Sequence, residues 1–408
     1  MSSTTASAGT ETVSADSLPS PVIVAPSLPA RYRRRSLFFL GLAVAGVGFA
    51  MTLQLGLNAS FVGQEMRLTG QQQGILEAFR ESCGITALLI LALLAGVAEP
   101  VIGAAVLVFL GVGLSAYSVV PTFPWLIITS LIWSQGLHIW MPLPNSMTLS
   151  LSEPGRSGHR LGQISAAGAA GSAAGLVLAL VLHVGGVPIR PLWLLAGAAA
   201  LLAAVACLAI PREIKAPRPR LVVRRRYATY YMLCLLEGWR KQIFIAFSGF
   251  LLVKVYGTPL TTMLVLWLTT QAIGWFLSPL IGRLIDRLGE RRVLMTYYAS
   301  MVVVFGGYIF LHNIHLLHAL FVVDGAFFVM SMALTTYVGR IAPPEERTPT
   351  LSLGVAMNHV AAVSMPLLGG ILWTHVGYQW TFAVGSLAAA ASILGVFFIP
   401  AKRPALPA

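Results

Sequence analysis

Gly282-Arg283-Leu284-Ile285-Asp286-Arg287-Leu288-Gly289-Glu290-Arg291-Arg292 lies between two long apolar runs, Thr261 to Ile281 and Val293 to Leu311. Eleven residues rich in glycine and arginine between two membrane-length segments read as a tight loop on the cytoplasmic face of a bilayer. Gly282 has no side chain, so two helices can close tightly where it sits. Asp286 is an acceptor at the water boundary, suited to the unpaired N–H groups of a helix N-terminus. Arg287, Arg291 and Arg292 hold the loop on the cytoplasmic side. Arginines alone would suffice for a loop that only fixes topology. The glycine–aspartate spacing favours a conformational lock.

That spacing, a glycine, an acid four residues later, an arginine beside it, Gly289 and then paired arginines, resembles the loop signature of the major facilitator superfamily. In that superfamily the loop joins the second and third helices of a six-helix half. The resemblance implies twelve transmembrane helices in two pseudo-symmetric six-helix bundles, an all-α polytopic membrane fold. It also implies that Arg340, at the cytoplasmic end of the tenth helix, completes a lock with Asp286 when the cytoplasmic side closes.

Composition agrees with a membrane protein. The 408 residues are 57% hydrophobic and 10% charged, with mean hydropathy +0.79; soluble domains carry about 25% charged residues. The net charge of +13 does not mark a nucleic-acid surface, because no basic stripe interleaved with aromatics occurs. Cys83, Cys207 and Cys234 all fall in apolar helices without metal or redox spacing, and read as packing residues. Met1 to Ala30, rich in Ser, Thr, Ala and Pro, reads as a disordered cytoplasmic tail rather than a signal peptide.

A helix of about 20 residues crosses the hydrocarbon core. On that ruler the first half holds Ser36–Phe61, Gly74–Val97, Val101–Val119, Trp125–Leu149, Leu161–Val184 and Leu192–Ile210. The second holds Tyr227–Val253, Thr261–Ile281, Val293–Leu311, Leu316–Val338, Leu351–Trp373 and Trp380–Ile399. With the N-terminus inside, 21 of the 27 Lys and Arg residues fall in cytoplasmic segments and three outside, which places both termini in the cytoplasm; the expected location is the plasma (inner) membrane. The division is a bundle over 31–210, a proline- and cation-rich cytoplasmic linker over 211–226, a bundle over 227–400 and a tail over 401–408. The approaches to the fifth and eleventh helices are both short, charged and proline-bearing, as parallel repeats require. The first-half counterpart of the opening loop, Gly96-Val97-Ala98-Glu99-Pro100, keeps a glycine and an acid but no cation.

An ionisable side chain inside a membrane helix costs roughly 2.5–3.5 kcal/mol on insertion scales, so it faces a wet cavity or a partner. In the superfamily, helices 3, 6, 9 and 12 form the outer scaffold, and here their apolar runs carry no Asp, Glu, Lys, Arg or His. The ionisable residues of the inner helices include Glu77, Arg80, Glu81, His138, Glu237, Arg240, Lys241, Asp324 and His359. In the seventh, Glu237 lies ~15 Å and Arg240 and Lys241 ~20 Å from the cytoplasmic end, and spacings of three and four let both cations meet the acid. One cation would suffice for a structural pair. Two leave an excess, which favours a substrate or coupling site. Asp324, ~12 Å from the outer end of the tenth helix, can pair with Arg240 or Lys241.

The second helix repeats the pattern as Leu76-Glu77-Ala78-Phe79-Arg80-Glu81 near the outer boundary, where an outer gate and a substrate contact are the two readings. In the fourth helix, Gln135, His138 and Asn145 recur at three and seven on one face, with Pro142 and Pro144 between, a broken helix of the kind that places ligands. A lone membrane histidine is otherwise a packing residue, and the same choice applies to Asn358-His359. The glycine–proline signature of drug/proton antiporters is absent from the fifth helix, and the fourth lacks the arginine of many proton-coupled members.

These readings converge on a secondary transporter of a small organic solute, working as a monomer, with protons as a coupling ion carried by Glu237, Asp324 or the histidines. The rival is a transporter-like membrane sensor or scaffold that binds a ligand without moving it. No phosphate-cradling loop and no nucleophile–base or metal constellation points to an enzyme, a cofactor or a metal.

Overall fold

The computed structural model describes residues 29–153, 155–215 and 223–400. Residues 1–28 of the tail expected over 1–30, the tail over 401–408, Pro154, and linker residues 216–222 lie outside the described residues, and Ala30 already belongs to the first helix. Twelve helical spans follow one another, and no strand occurs among the described residues. The first six are α1 (Ala30–Glu65), α2 (Gly70–Leu93), α3 (Glu99–Ala116), α4 (Phe123–Leu151), α5 (Ser157–Val184) and α6 (Ile189–Leu208). α7 is assembled from Ala228–Ile243, a wider π-type turn Phe244–Ser248, and Gly249–Lys254. α8 (Leu260–Leu288), α9 (Glu290–Phe310), α10 (Ile314–Ile341), α11 (Pro344–His375) and α12 (Tyr378–Val396) complete the chain. Ten of these are apolar and long enough to cross a membrane. α2 and α7 are the two outside that group, and they carry the buried Glu–Arg pairs.

The helices pack with a repeating logic. α1 lies on α5 and α3 on α6 in the first half, as α7 lies on α11 and α9 on α12 in the second. Between halves, α2 meets α11 and α8 meets α5. This is the two-bundle, pseudo-symmetric membrane fold expected. Small residues set the approach of α1 and α5: a Cβ on Gly171 would overlap the Ala45 carbonyl, and one on Gly175 would come 2.6 Å from the Phe49 carbonyl.

Contacts between halves concentrate away from the terminal face, where α1 begins and α12 ends. Gln64 Nε2 donates to the Thr258 carbonyl (3.3 Å), the Gln71 N–H to Thr374 Oγ1 (2.9 Å) and Gln73 Nε2 to the Ala246 carbonyl (2.9 Å). A side chain at Gly74 would overlap the Pro366 carbonyl, and one at Gly70 the Trp373 ring. That end is shut. On the terminal face, Cβ atoms at Gly162, Gly282 and Gly339 would meet nothing within 4 Å. The tight approach expected at Gly282 is therefore not made here, because its helix end faces open space.

Candidate functional site

A cavity of about 440 Å³ lies between the halves, closed toward Asn58 and Glu77 and running to Tyr230, Thr335 and Gly354 near the terminal face. Its lining comes from α1, α2, α4, α7, α8, α10 and α11. None of the described residues of α3, α6, α9 or α12 contributes, as expected of a scaffold, and α5, expected among the inner helices, contributes none either.

Two charged clusters flank the cavity. In the second half Arg240, 0% exposed, donates to Glu237 Oε1 (3.0 Å) and to Asp324 Oδ1 (3.0 Å). Its guanidinium lies 5.2 Å from the Tyr297 ring centre and 5.7 Å from that of Phe328. The Tyr297 hydroxyl donates to Glu237 Oε1 at 2.9 Å. α10 tightens at Phe328–Ser331, just where its side chains reach Arg240. Lys241 turns away and donates to Asn358 Oδ1 of α11 at 2.8 Å. The expected cation excess on Glu237 is reversed: two acids share one arginine. Consecutive helix residues point about 100° apart, so Arg240 and Lys241 serve different neighbours.

In the first half Arg80 pairs with Glu77 and donates to Asn58 Oδ1 (3.0 Å) and the Tyr117 hydroxyl (2.7 Å), with its charge 5.2 Å from the Trp133 ring centre. Gln73 Nε2 donates to Glu77 Oε1 at 3.2 Å. The near-copy in sequence is thus a near-copy in space, an i,i+3 pair capped by a buried tyrosine. Glu77 and Arg80 line the cavity below the Gly70–Gly74 closure rather than forming it, because Glu77 is ~10 Å along α2. Glu81, grouped with them as an outer gate, reaches across to His359 Nδ1 at 3.2 Å.

His138 stands beside His359, ring centres 5.0 Å apart, and its Nδ1–H donates to the Ser134 carbonyl at 2.8 Å. Gln135 and Asn145 do not join them. Gln135 accepts from Thr86 Oγ1 (2.6 Å) in a lateral groove between α2, α3 and α4, and Asn145 is exposed. The break at Met141–Pro142 splits α4 into Phe123–Trp140 and Leu143–Leu151, so a face drawn through both parts does not persist. Asn58 and Gln54 on α1, Tyr117 and Tyr297 were not singled out in the sequence. Two polar side chains four apart in an apolar run were the available signal for the first pair.

At the terminal face, Gly289 takes φ +82° and joins α8 to α9, a backbone shape that costs a glycine little. Asp286 and Arg287 are exposed, and Arg291 lies 5.3 Å from the Phe397 ring centre. Arg340 ion-pairs with Glu290 at 3.1 Å. Glu290 is the first residue of α9 and Glu99 the first of α3, where Ser146 of α4 donates to it at 2.6 Å. Both halves therefore tie their third helix to their fourth through an acid at a helix N-terminus, which the dipole favours.

Residues 243–408 match the family described as Major Facilitator Superfamily, a stretch that includes the Gly282–Arg292 loop. No curated protein matches the chain. Among solved structures, it is similar to a bacterial homologue of the human lysosomal transporter Spinster, inward-facing and occupied, at 14% identity and TM-score 0.73. That alignment covers 91% of this chain and 97% of the other. It is also similar to the nucleoside transporter NupG, at 16% identity and TM-score 0.68 over 90% of this chain and 97% of the other. The chain has the major facilitator fold.

Proposed function

We propose that the chain is a secondary transporter that carries a small polar organic solute across the plasma (inner) membrane by alternating access. The observation that carries this reading is the charged cavity between two bundles, shut at one face by interlocked helices and continuous with the other. Its volume of about 440 Å³ falls within the roughly 300–1,000 Å³ of small-molecule pockets. The bundles over 31–210 and 227–400 rock about the bound solute, with the linker 211–226 between them. The arginine-rich terminal face is cytoplasmic, so this shape is inward-facing. Transport by the solved proteins that share the fold supports the class.

Lys241, Asn358, His138, His359 and Glu81 line the cavity and bind the solute, against walls of Trp133, Trp267 and Phe328. Donors and acceptors of both charges there suit a zwitterionic or mixed polar solute. Proton coupling runs through the Glu237–Arg240–Asp324 cluster. Two carboxylates face one guanidinium, and Asp324 Oδ2 is buried without a hydrogen-bond partner, a place for a proton. The cavity is built within one chain, so the working unit is a monomer.

A thermal-shift screen of metabolites against the purified protein finds the solute, and counterflow of the labelled solute into proteoliposomes tests carriage. Transient accumulation driven by unlabelled solute inside, lost in Lys241→Ala, is the expected result. A solute that stabilises the protein yet shows no counterflow would make it a sensor instead.

A further inference from the structure

The structure assigns a second ligand to the interface between the bundles: a first-row divalent transition metal such as Zn²⁺, held by Glu81 of α2, His138 of α4 and His359 of α11. One donor atom from each lies within 4.8 Å of the others. Metal–ligand bonds of ~2.1 Å in a tetrahedral site separate donors by roughly 3.4 Å, so closure on the order of 1 Å completes the set. Two imidazoles and a carboxylate suit a zinc-class ion, and three protein ligands leave a position open to the cavity.

Three further observations favour a metal over a plain hydrogen-bonded pair. The Ser134 carbonyl accepts from His138 Nδ1–H at 2.8 Å, which fixes the tautomer and leaves the Nε2 lone pair for an ion. His359 Nδ1 lies 3.2 Å from Glu81 Oε2, close to the separation of two donors on one tetrahedral ion, so both atoms can face the metal. Gly84 makes the room, since any side chain there would overlap the His359 ring. Lys241 acts electrostatically on both Glu81 and His138 and opposes a cation, but its Nζ is drawn to Asn358 Oδ1 at 2.8 Å. Because the ligands come from both bundles, a bound ion staples α2 and α4 to α11 and favours the present shape.

The test titrates the purified full chain with ZnCl2 by calorimetry and with CoCl2 by visible absorption, with no solute present. Expected are one saturable ion per chain, a tetrahedral cobalt band, and affinity falling by roughly tenfold or more in His138→Ala, His359→Ala and Glu81→Gln. Lys241→Gln should bind more tightly, by several-fold, as a like charge is removed. Variants are compared only where their metal-free melting matches the parent, and Glu81→Gln, the smallest change, serves if a histidine variant unfolds. Absence of saturable binding, or equal affinity in every variant that folds, would overturn the site. The readout is independent of transport, so failure of the carrier reading leaves it standing.

Discussion

Arg240 is shared by Glu237 and Asp324, and all three are buried, so the cost of losing it is the cost of two unmatched carboxylates. Removing one partner of a buried charge cluster destabilises by about 3–5 kcal/mol. Arg240→Ala should therefore lower the melting temperature in detergent sharply, whereas Asp324→Asn, which leaves the Glu237 pair, should cost much less. Equal losses would mean that the second acid matters as much as the first. At this scale the sequence placed Glu237 with Arg240 and mispaired Lys241. Asp324 was legible as a partner of Arg240 or Lys241 from depth along two helices, and the structure pairs it with Arg240. Lys241 was not legible as an Asn358 partner, because spacing along α7 says nothing of where α11 lies. Glu81, His138 and His359 are likewise far apart in the chain and meet only through the packing of α2, α4 and α11.

Elements carry the closure of one face and the latches of the other. α2 and α11 touch backbone to backbone at Gly74 and Pro366, where there is no room for a Cβ. Gly74→Val should pry that face open, seen as a longer distance between spin labels on the outer ends of α2 and α11; an unchanged distance would place the seal elsewhere. On the terminal face, we propose that Asp286 adds to the Glu290–Arg340 tie when the two halves approach. Asp286→Lys is then expected to slow solute uptake in proteoliposomes, and unaltered uptake would remove Asp286 from the lock. The Arg226 guanidinium, with the Tyr227 hydroxyl at 2.7 Å, holds the Glu346 carboxyl below the usual range, ahead of the membrane-length run Pro349–His375. A depressed acid contributes its tie above its ordinary titration range and loses it as pH falls through the lowered value. Amide-exchange protection of 224–227 should fall on acidification below that range, and Glu346→Gln should lose the dependence.

For the molecule as a whole, hydropathy and arginine placement were enough to give twelve spans and two halves, because the bilayer constrains length and loop charge so strongly. α2 and α7, read as spans on the same length ruler, are the two that fall outside the ten helices apolar enough to cross a membrane. What the linear pattern did not hold was the state: a cavity closed above Glu77 and open beyond Thr335 is a property of how bundles lean. Alternation between that shape and its reverse is the central claim. Its most direct measurement is a pair of spin-label distances in lipid, one across each face between the bundles, taken with and without the transported solute. The account predicts opposite changes, the terminal-face distance shortening as the other lengthens. A Gln71–Thr374 face that stays shut under every condition, with the terminal face never narrowing, would contradict it.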